Sequence, residues 1–236
     1  MNIVIQKTRD GSHTLYNVDL NETYHSVHGA VRESMHIFIR AALEPMLEKK
    51  KRIRVLEIGF GTGLNALLTL QKFIEPTSNQ PSCEIFYTSL EPYPVAAEVV
   101  AQLNYAQHFD NPVLFQSLFN QLHAAAWEHT HEIVKGFSLK KVKTSLADFA
   151  FTEPVYDLIY FDAFSPKIQP ELWDKPAVAK LVEMLAPGGI LTTYGTQGTF
   201  RRNLKEWGLD VKRIPGPPGK SQMTRAIKQI IGLNTD

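Results

Sequence analysis

The segment Glu57-Ile-Gly-Phe-Gly-Thr-Gly63 limits what this chain can fold into more than any other feature. It continues Ile53-Arg-Val-Leu-Glu-Ile58, an apolar stretch of strand length, and runs directly into the helix-forming residues Leu64 to Phe73. Glycine tolerates positive φ and leaves room where a Cβ would collide, so alternate glycines between a strand and a helix make a tight loop whose backbone can touch a ligand. A dinucleotide loop reads G-x-G-x-x-G and sets a pyrophosphate on the helix amino terminus. Here the third glycine comes one position early and Glu57 precedes the loop. That spacing favours S-adenosylmethionine, which has a ribose diol, an adenine and a cationic methionine end but no pyrophosphate.

The rest of the chain alternates in the same way. Cys83 to Leu90 is a second strand ending at Glu91, and a helix is expected over about Ala96 to Leu103. The stretch from Asn104 to Lys135 reads mostly as helix. Lys140 to Ser145 is a strand leading to Asp148, and Tyr156 to Phe161 is a buried strand ending at Asp162. Trp173 to Leu185 is a helix, Ile190 to Tyr194 a strand and Thr199 to Trp207 a helix. Strands separated by helices imply an α/β, Rossmann-like, doubly wound and mainly parallel sheet with helices on both faces. Ahead of it, Ile3 to Ile5 and Thr14 to Tyr16 flank Asp10-Gly11, a hairpin signal. His28 to Glu48 carries apolar residues at helical spacing, interrupted or ended near Pro45.

A length of 236 residues with 44% hydrophobic content suits one domain over 1–236, with 1–48 as a hairpin and helix extension and 49–236 as the core. Basic and acidic side chains number 25 and 24, so no global field selects a nucleic acid, and any such partner must meet a local patch. The candidates are a carboxyl-terminal cluster of Arg201, Arg202, Lys212, Arg213, Lys220, Arg225 and Lys228, and a second run, Lys49 to Arg52, at the opposite strand end. Cys83 alone makes neither a disulfide nor a zinc cluster, and the histidines lack a ligand pattern, so no metal is assigned. A signal peptide and a long apolar span are both missing, which reads as cytoplasmic.

In a parallel sheet, ligands bind beyond the carboxyl ends of the strands. The loop residues Glu57, Gly59, Phe60, Gly61 and Gly63 are therefore cofactor candidates. Glu91 is placed to accept from both ribose hydroxyls, and Asp148 to receive the adenine amino group with Phe149 covering the ring. A helix cap uses the same residue type as Asp148. Asp162, in Asp162-Ala-Phe-Ser-Pro166, is the candidate catalytic acid, with Phe164 and Tyr194 as walls for an extruded base.

Val55 to Asn65, Tyr160 to Pro166, Pro170 to Trp173 and Ala186 to Thr192 together resemble the methyltransferase half of the bifunctional tRNA 5-methylaminomethyl-2-thiouridine biosynthesis (MnmC-like) family. Glu33-Ser34 and Gly216-Pro-Pro-Gly-Lys220 with Arg225 extend the likeness over about Thr23 to Lys228. The resemblance implies methylation of the 5-aminomethyl group on the wobble (2-thio)uridine of tRNA. It also adds Asn65 to the cofactor residues and Lys220 and Arg225 to the substrate residues. After residue 200 neither a second glycine fingerprint nor the length for a flavin domain is found, so a separate enzyme is expected to supply the amine. A class I methyltransferase acting on a small molecule or protein, an aminopropyl transferase of spermidine-synthase type, and a non-catalytic cofactor-binding or tRNA-binding module remain alternatives.

Overall fold

The computed structural model describes residues 2–75, 83–152 and 155–230. The polar loop read over 76–82 lies outside them. The chain opens with a small antiparallel sheet of β1 (Ile3–Lys7), β2 (His13–Asn17) and β3 (Glu22–Thr23). Its first turn passes through Gly11 at φ 89°.

Residues 30–47 are helical throughout: α1 (Ala30–Ser34), a wider π-type stretch (Met35–Leu43) and α2 (Glu44–Leu47). Pro45 has no N–H for the carbonyl four residues back, and its ring crowds that carbonyl in a regular helix. The wide turns ahead of it, in which Glu44 donates five residues back to Ile39, let the helix continue to Leu47. Proline at this position changes the helix type and does not end the helix.

The core elements follow as β4 (Arg52–Ile58), α3 (Leu64–Ile74), β5 (Glu84–Leu90), α4 (Ala97–Val100), α5 (Pro112–Ala124), β6 (Thr130–Val134), β7 (Phe137–Val142), β8 (Tyr156–Phe161), α6 (Lys175–Met184), β9 (Leu185–Thr193), α7 (Gly198–Glu206), β10 (Leu209–Pro215) and β11 (Gln222–Lys228). They form one sheet in the order β10-β11-β9-β8-β4-β5-β7-β6. The run β9-β8-β4-β5-β7 is parallel, and antiparallel pairs close both ends. The mainly parallel, Rossmann-like reading therefore holds.

Three segments differ from the sequence reading. The helix expected over 96–103 is the single turn α4. Part of the 104–135 region is the edge strand β6. The basic tail after residue 208 is the hairpin β10–β11, whose strand β11 lies between β9 and β10.

Side chains alternate across the pleat, so β4 sends Ile53 and Val55 to one face and Leu56 and Ile58 to the other. The first face packs on residues 30–47, α3 and α5; Phe38 and Tyr160 meet there at 5.0 Å between ring centroids. The second packs on α6 and α7, where Phe161 stacks on Phe200 at 5.3 Å. Truncating a core aromatic of this kind removes about 3–5 kcal/mol. At the amino-terminal end of the sheet, Asp157 accepts from the Arg54 N–H at 2.8 Å and pairs with Lys50, while Arg52 pairs with Glu84 at 3.0 Å. Two members of the Lys49 to Arg52 run thus serve the fold, far along the strands from the glycine loop.

Candidate active site

Strand β4 ends at Ile58, and Gly59, Gly61 and Gly63 take φ values of 93°, 50° and 74°. At Gly59 a Cβ would stand 3.2 Å from the Asp162 carbonyl, and at Gly63 it would meet His123 Nε2 at 2.7 Å. The first contact keeps the β4 and β8 ends close together, and the second lets the loop lie on α5. Helix α3 then starts at Leu64 with Gly63 as its cap.

Above this loop lies a cavity of about 920 Å³, between the carboxyl ends of β4, β5, β8 and β9 and the segment from Asn17 to Val27. Glu91 sits at its edge, immediately after β5. One carboxylate oxygen accepts from the Gly61 N–H at 2.9 Å and the other from the Tyr93 N–H at 2.9 Å. Burial raises the Glu91 pKa while those two N–H bonds lower it. Each oxygen keeps a lone pair free for a ligand hydroxyl.

Asp162 follows β8 and faces the cavity. Its Oδ2 accepts from Asn65 Nδ2 at 2.8 Å, which links the end of β8 to the first turn of α3. Burial pushes its carboxyl up to about 7, the Asn65 bond pulls it down, nearby Glu33 pushes it up and Lys220 pulls it down. A carboxyl poised there exchanges a proton near neutral pH.

Aromatic rings wall the space beside Asp162. Phe164 meets Tyr24 edge-to-face at 5.0 Å, and the Tyr194 hydroxyl donates to the Ala163 carbonyl at 2.8 Å. The Trp173 indole N–H donates to the Phe164 carbonyl at 2.8 Å and fixes that turn from behind. Burial, and then Glu91, push the Tyr24 hydroxyl up to about 12, so it stays a neutral donor. Lys220, in the β10–β11 connection, lies 4.0 Å from the Tyr194 ring centroid and pairs with Glu33 at 2.6 Å. Glu33 also accepts from the Ser26 N–H at 2.6 Å.

The cavity thus gathers Gly59, Phe60, Gly61, Asn65, Glu91, Asp162, Phe164, Tyr194 and Lys220 from the sequence-derived candidates. Phe60 contributes mainly to packing, since it is 4% exposed and its ring lies 5.2 Å from that of His123. Five candidates lie elsewhere. Glu57 is wholly buried behind the loop, where it accepts from Ser89 Oγ at 2.6 Å. Gly63 faces α5. Strand β7 stops at Val142, so Asp148 falls in an exposed turn and accepts from Ser145 Oγ at 2.6 Å. Residues 144–147 reach the cavity in its place. Phe149 packs against the α6 and α7 face of the core. Arg225 lies within β11, opposite Lys212 on one side and Thr192 on the other.

Glu33 and Tyr24 are cavity residues that carried no site role in the sequence reading. Glu33 is an acid on the buried side of α1; a charge among apolar helical positions and its place in the family resemblance were its signals. Tyr24 sits in an irregular segment and had none. Among the described residues, no group of three or more His, Cys, Asp or Glu side chains is placed to hold a metal ion. No helix among them is long and apolar enough to cross a membrane.

Residues 130–229 match a family described as S-adenosyl-L-methionine-dependent methyltransferase. Over 219 residues the chain is 31% identical to the tRNA 5-methylaminomethyl-2-thiouridine biosynthesis bifunctional protein MnmC of Cupriavidus necator, covering 89% of this chain and 32% of that one. The chain spans about a third of the length of the curated relatives it matches. The crystal structure of MnmC2 from Aquifex aeolicus superimposes with a TM-score of 0.75 at 24% identity, over 95% of this chain and 70% of that one. Spermidine synthase from Thermotoga maritima gives a TM-score of 0.56 at 15% identity, over 97% of this chain and 73% of that one. These two likenesses are of fold.

Proposed function

Starting from a chain that is an S-adenosyl-L-methionine-dependent methyltransferase related to the MnmC proteins, we propose that it methylates the amine of a 5-aminomethyl group on the wobble uridine of tRNA. The observation that carries this reading is Asp162, a cavity-facing acid held by Asn65 and walled by Tyr24 and Phe164 directly beyond the glycine loop. The cofactor supplies an electrophilic methyl group on a sulfonium. In our reading Gly59 to Gly61 and Glu91 would hold it, Glu91 accepting from its ribose diol, and residues 144–147 would line the adenine side in place of Asp148.

The acceptor amine is mostly protonated at neutral pH, and only its neutral lone pair attacks. Asp162 takes the proton as the ammonium loses it, then holds a remaining N–H so that the lone pair points at the methyl carbon. Methyl transfer to that lone pair would form the N–C bond as the cofactor's C–S bond breaks, the electron pair leaving on sulfur. Alignment of the three atoms supplies much of the rate. A flat ring carrying the aminomethyl group would stand between Phe164 and Tyr194.

Strand β10 runs in the direction of β9, so Arg213 near its end comes to the same sheet edge as Arg201 in the first turn of α7. The mutual repulsion of these two cations lowers the Arg201 pKa, second to partial burial. Neither makes an ion pair with a described acid. We assign the RNA backbone to this edge, and the amine itself to the product of a separate enzyme.

The test is incubation of the chain with methyl-labelled S-adenosylmethionine and tRNA bearing 5-aminomethyl-2-thiouridine. Label should appear in the wobble nucleoside. Transfer only to small amines or to protein, with none to this tRNA, would refute the acceptor and leave the methyl donor standing.

A further inference from the structure

The glycines that let the chain turn between β4 and α3 also leave it loose, because glycine loses more backbone freedom on folding than any other residue. A loop that must keep one shape for a ligand therefore needs ties from outside. One tie comes from the cavity side, where Glu91 takes the Gly61 N–H at 2.9 Å. The other comes from behind. His123, in the last turn of α5, brings Nε2 to 3.1 Å from the Thr62 carbonyl oxygen. A carbonyl only accepts, so Nε2 carries a proton and donates it to this bond. The Gly63 N–H of the same peptide unit donates to the Phe60 carbonyl at 2.8 Å, so the unit is held at both ends.

The imidazole is itself held. The rings of Phe119 and Phe60 meet it edge-to-face at 4.6 and 5.2 Å between centroids. Lys141, 1% exposed on β7, donates from Nζ to the His123 carbonyl at 2.7 Å. It makes no ion pair with a described acid. Its charge lies instead 5.2 Å from the Phe60 ring centroid and 4.9 Å from that of Trp127, at the negative end of α5. Lys141 thereby joins the loop ring of Phe60, the end of α5 and strand β7. Burial drives the His123 pKa down to about 4, the Thr62 bond pulls it up and Lys141 pushes it down, so the ring is neutral at pH 7 and carries one proton.

We propose that His123 is a positioning residue for the cofactor: its Nε2–H pins the Thr62 carbonyl from behind and keeps the glycine loop in the shape that receives S-adenosylmethionine. The proposal rests on the glycine loop being the cofactor's seat. His123 does not line the cavity, so it acts through the loop backbone and not by touching the ligand. Without the pin, the Thr62 carbonyl loses its partner in a buried place, and the peptide unit beside Gly63 is free to turn over and break the Gly63 bond to Phe60. Binding must then reorder the loop first, and affinity falls by the fraction of molecules that have it in place.

The experiment combines calorimetric binding of S-adenosylmethionine with amide hydrogen exchange, on the full chain and on His123→Leu and His123→Gln. Glutamine carries an amide N–H at the position of Nε2 and can donate to Thr62; leucine cannot. His123→Leu should weaken binding about tenfold and speed exchange of the Gly61 and Gly63 amides at least tenfold, with the amides of β8 unchanged. His123→Gln should bring both quantities back to within about threefold of the unaltered chain. Native affinity and native exchange in His123→Leu, or His123→Gln as impaired as His123→Leu, overturns the proposal. Nitrogen-15 NMR of the unaltered chain decides the matter even if His123→Leu does not fold: the ring should carry its proton on Nε2 at pH 7, and a proton on Nδ1 alone overturns the proposal. The exchange and NMR readings need no cofactor. They therefore judge the pin separately from the seat, which is lost if Gly59→Ala leaves affinity unchanged.

Discussion

The ammonium of Lys220 lies 4.0 Å from the ring centroid of Tyr194, which places a charge from a hairpin loop on the aromatic wall of the cavity. Its pairing with Glu33 offsets a buried acid that otherwise pushes the Asp162 carboxyl upward. Replacing Lys220 by Met should therefore move the acid limb of the pH–rate profile to higher pH, and Glu33→Gln should move it lower. Steady-state rates from pH 5 to 9 check both directions, and limbs that stay in place would disconnect the pair from Asp162.

Asp162→Ala should reduce methyl transfer by about 100-fold or more while cofactor affinity changes only a few fold. In the unaltered chain, activity should fall as pH drops through about 7, because Asp162 must be ionised to take the amine proton. Turnover measured beside calorimetric cofactor binding separates the two effects.

Glu57 also sets a stability trend. Its folded pKa of about 8 lies above its ordinary value of 4.5, so the folded state retains a proton that the unfolded chain releases. Stability from this group is fully present below about pH 4.5 and is lost progressively as pH rises through about 8. Glu57→Gln should flatten that decline. Urea unfolding at pH 5, 7 and 8.5 gives the slope for each protein.

Gly59→Ala should weaken cofactor binding at least tenfold. The φ of 93° strains any side chain by about 1–3 kcal/mol, and the new Cβ would press on the backbone carbonyl of Asp162, which is not free to swing away. Binding titrations alone test this, and an unchanged affinity would take Gly59 out of the site.

Reversing Arg201 and Arg213 to Glu together should lower the slope of log affinity for tRNA against log salt by about 2. Arg225→Glu should act on folding instead, since Arg225 lies between two partner strands. Filter binding across a salt series and thermal unfolding discriminate these outcomes.

The strand, glycine loop and helix from Ile53 to Ile74 were legible because hydrophobic period, glycine placement and the change of period all agree there. Strand β8 was legible for its continuous apolar run. The hairpin β10–β11 was not, because the adjacent Lys212 and Arg213, with Arg225, interrupt the apolar positions and read locally as a charged tail. Asp148 was misplaced because its strand stops at Val142, and Ser145 then captures the carboxylate in a local turn. Glu57 was assigned to the ligand by its position before the loop. Sequence order does not show that its side chain points behind the loop rather than over it.

The insertion of β11 between β9 and β10 bears on the order in which the site is built. Until residues 222–228 leave the ribosome, β9 has an open edge and β10 has no neighbour to hold it. Lys220 cannot be anchored over Tyr194 before that pairing closes. The glycine loop and Asp162, drawn from strands complete much earlier, can take shape while the acceptor wall is still missing. A chain cut short before Gln222 would thus be expected to lose the acceptor side of the cavity first, and to expose a strand edge prone to pairing with other chains.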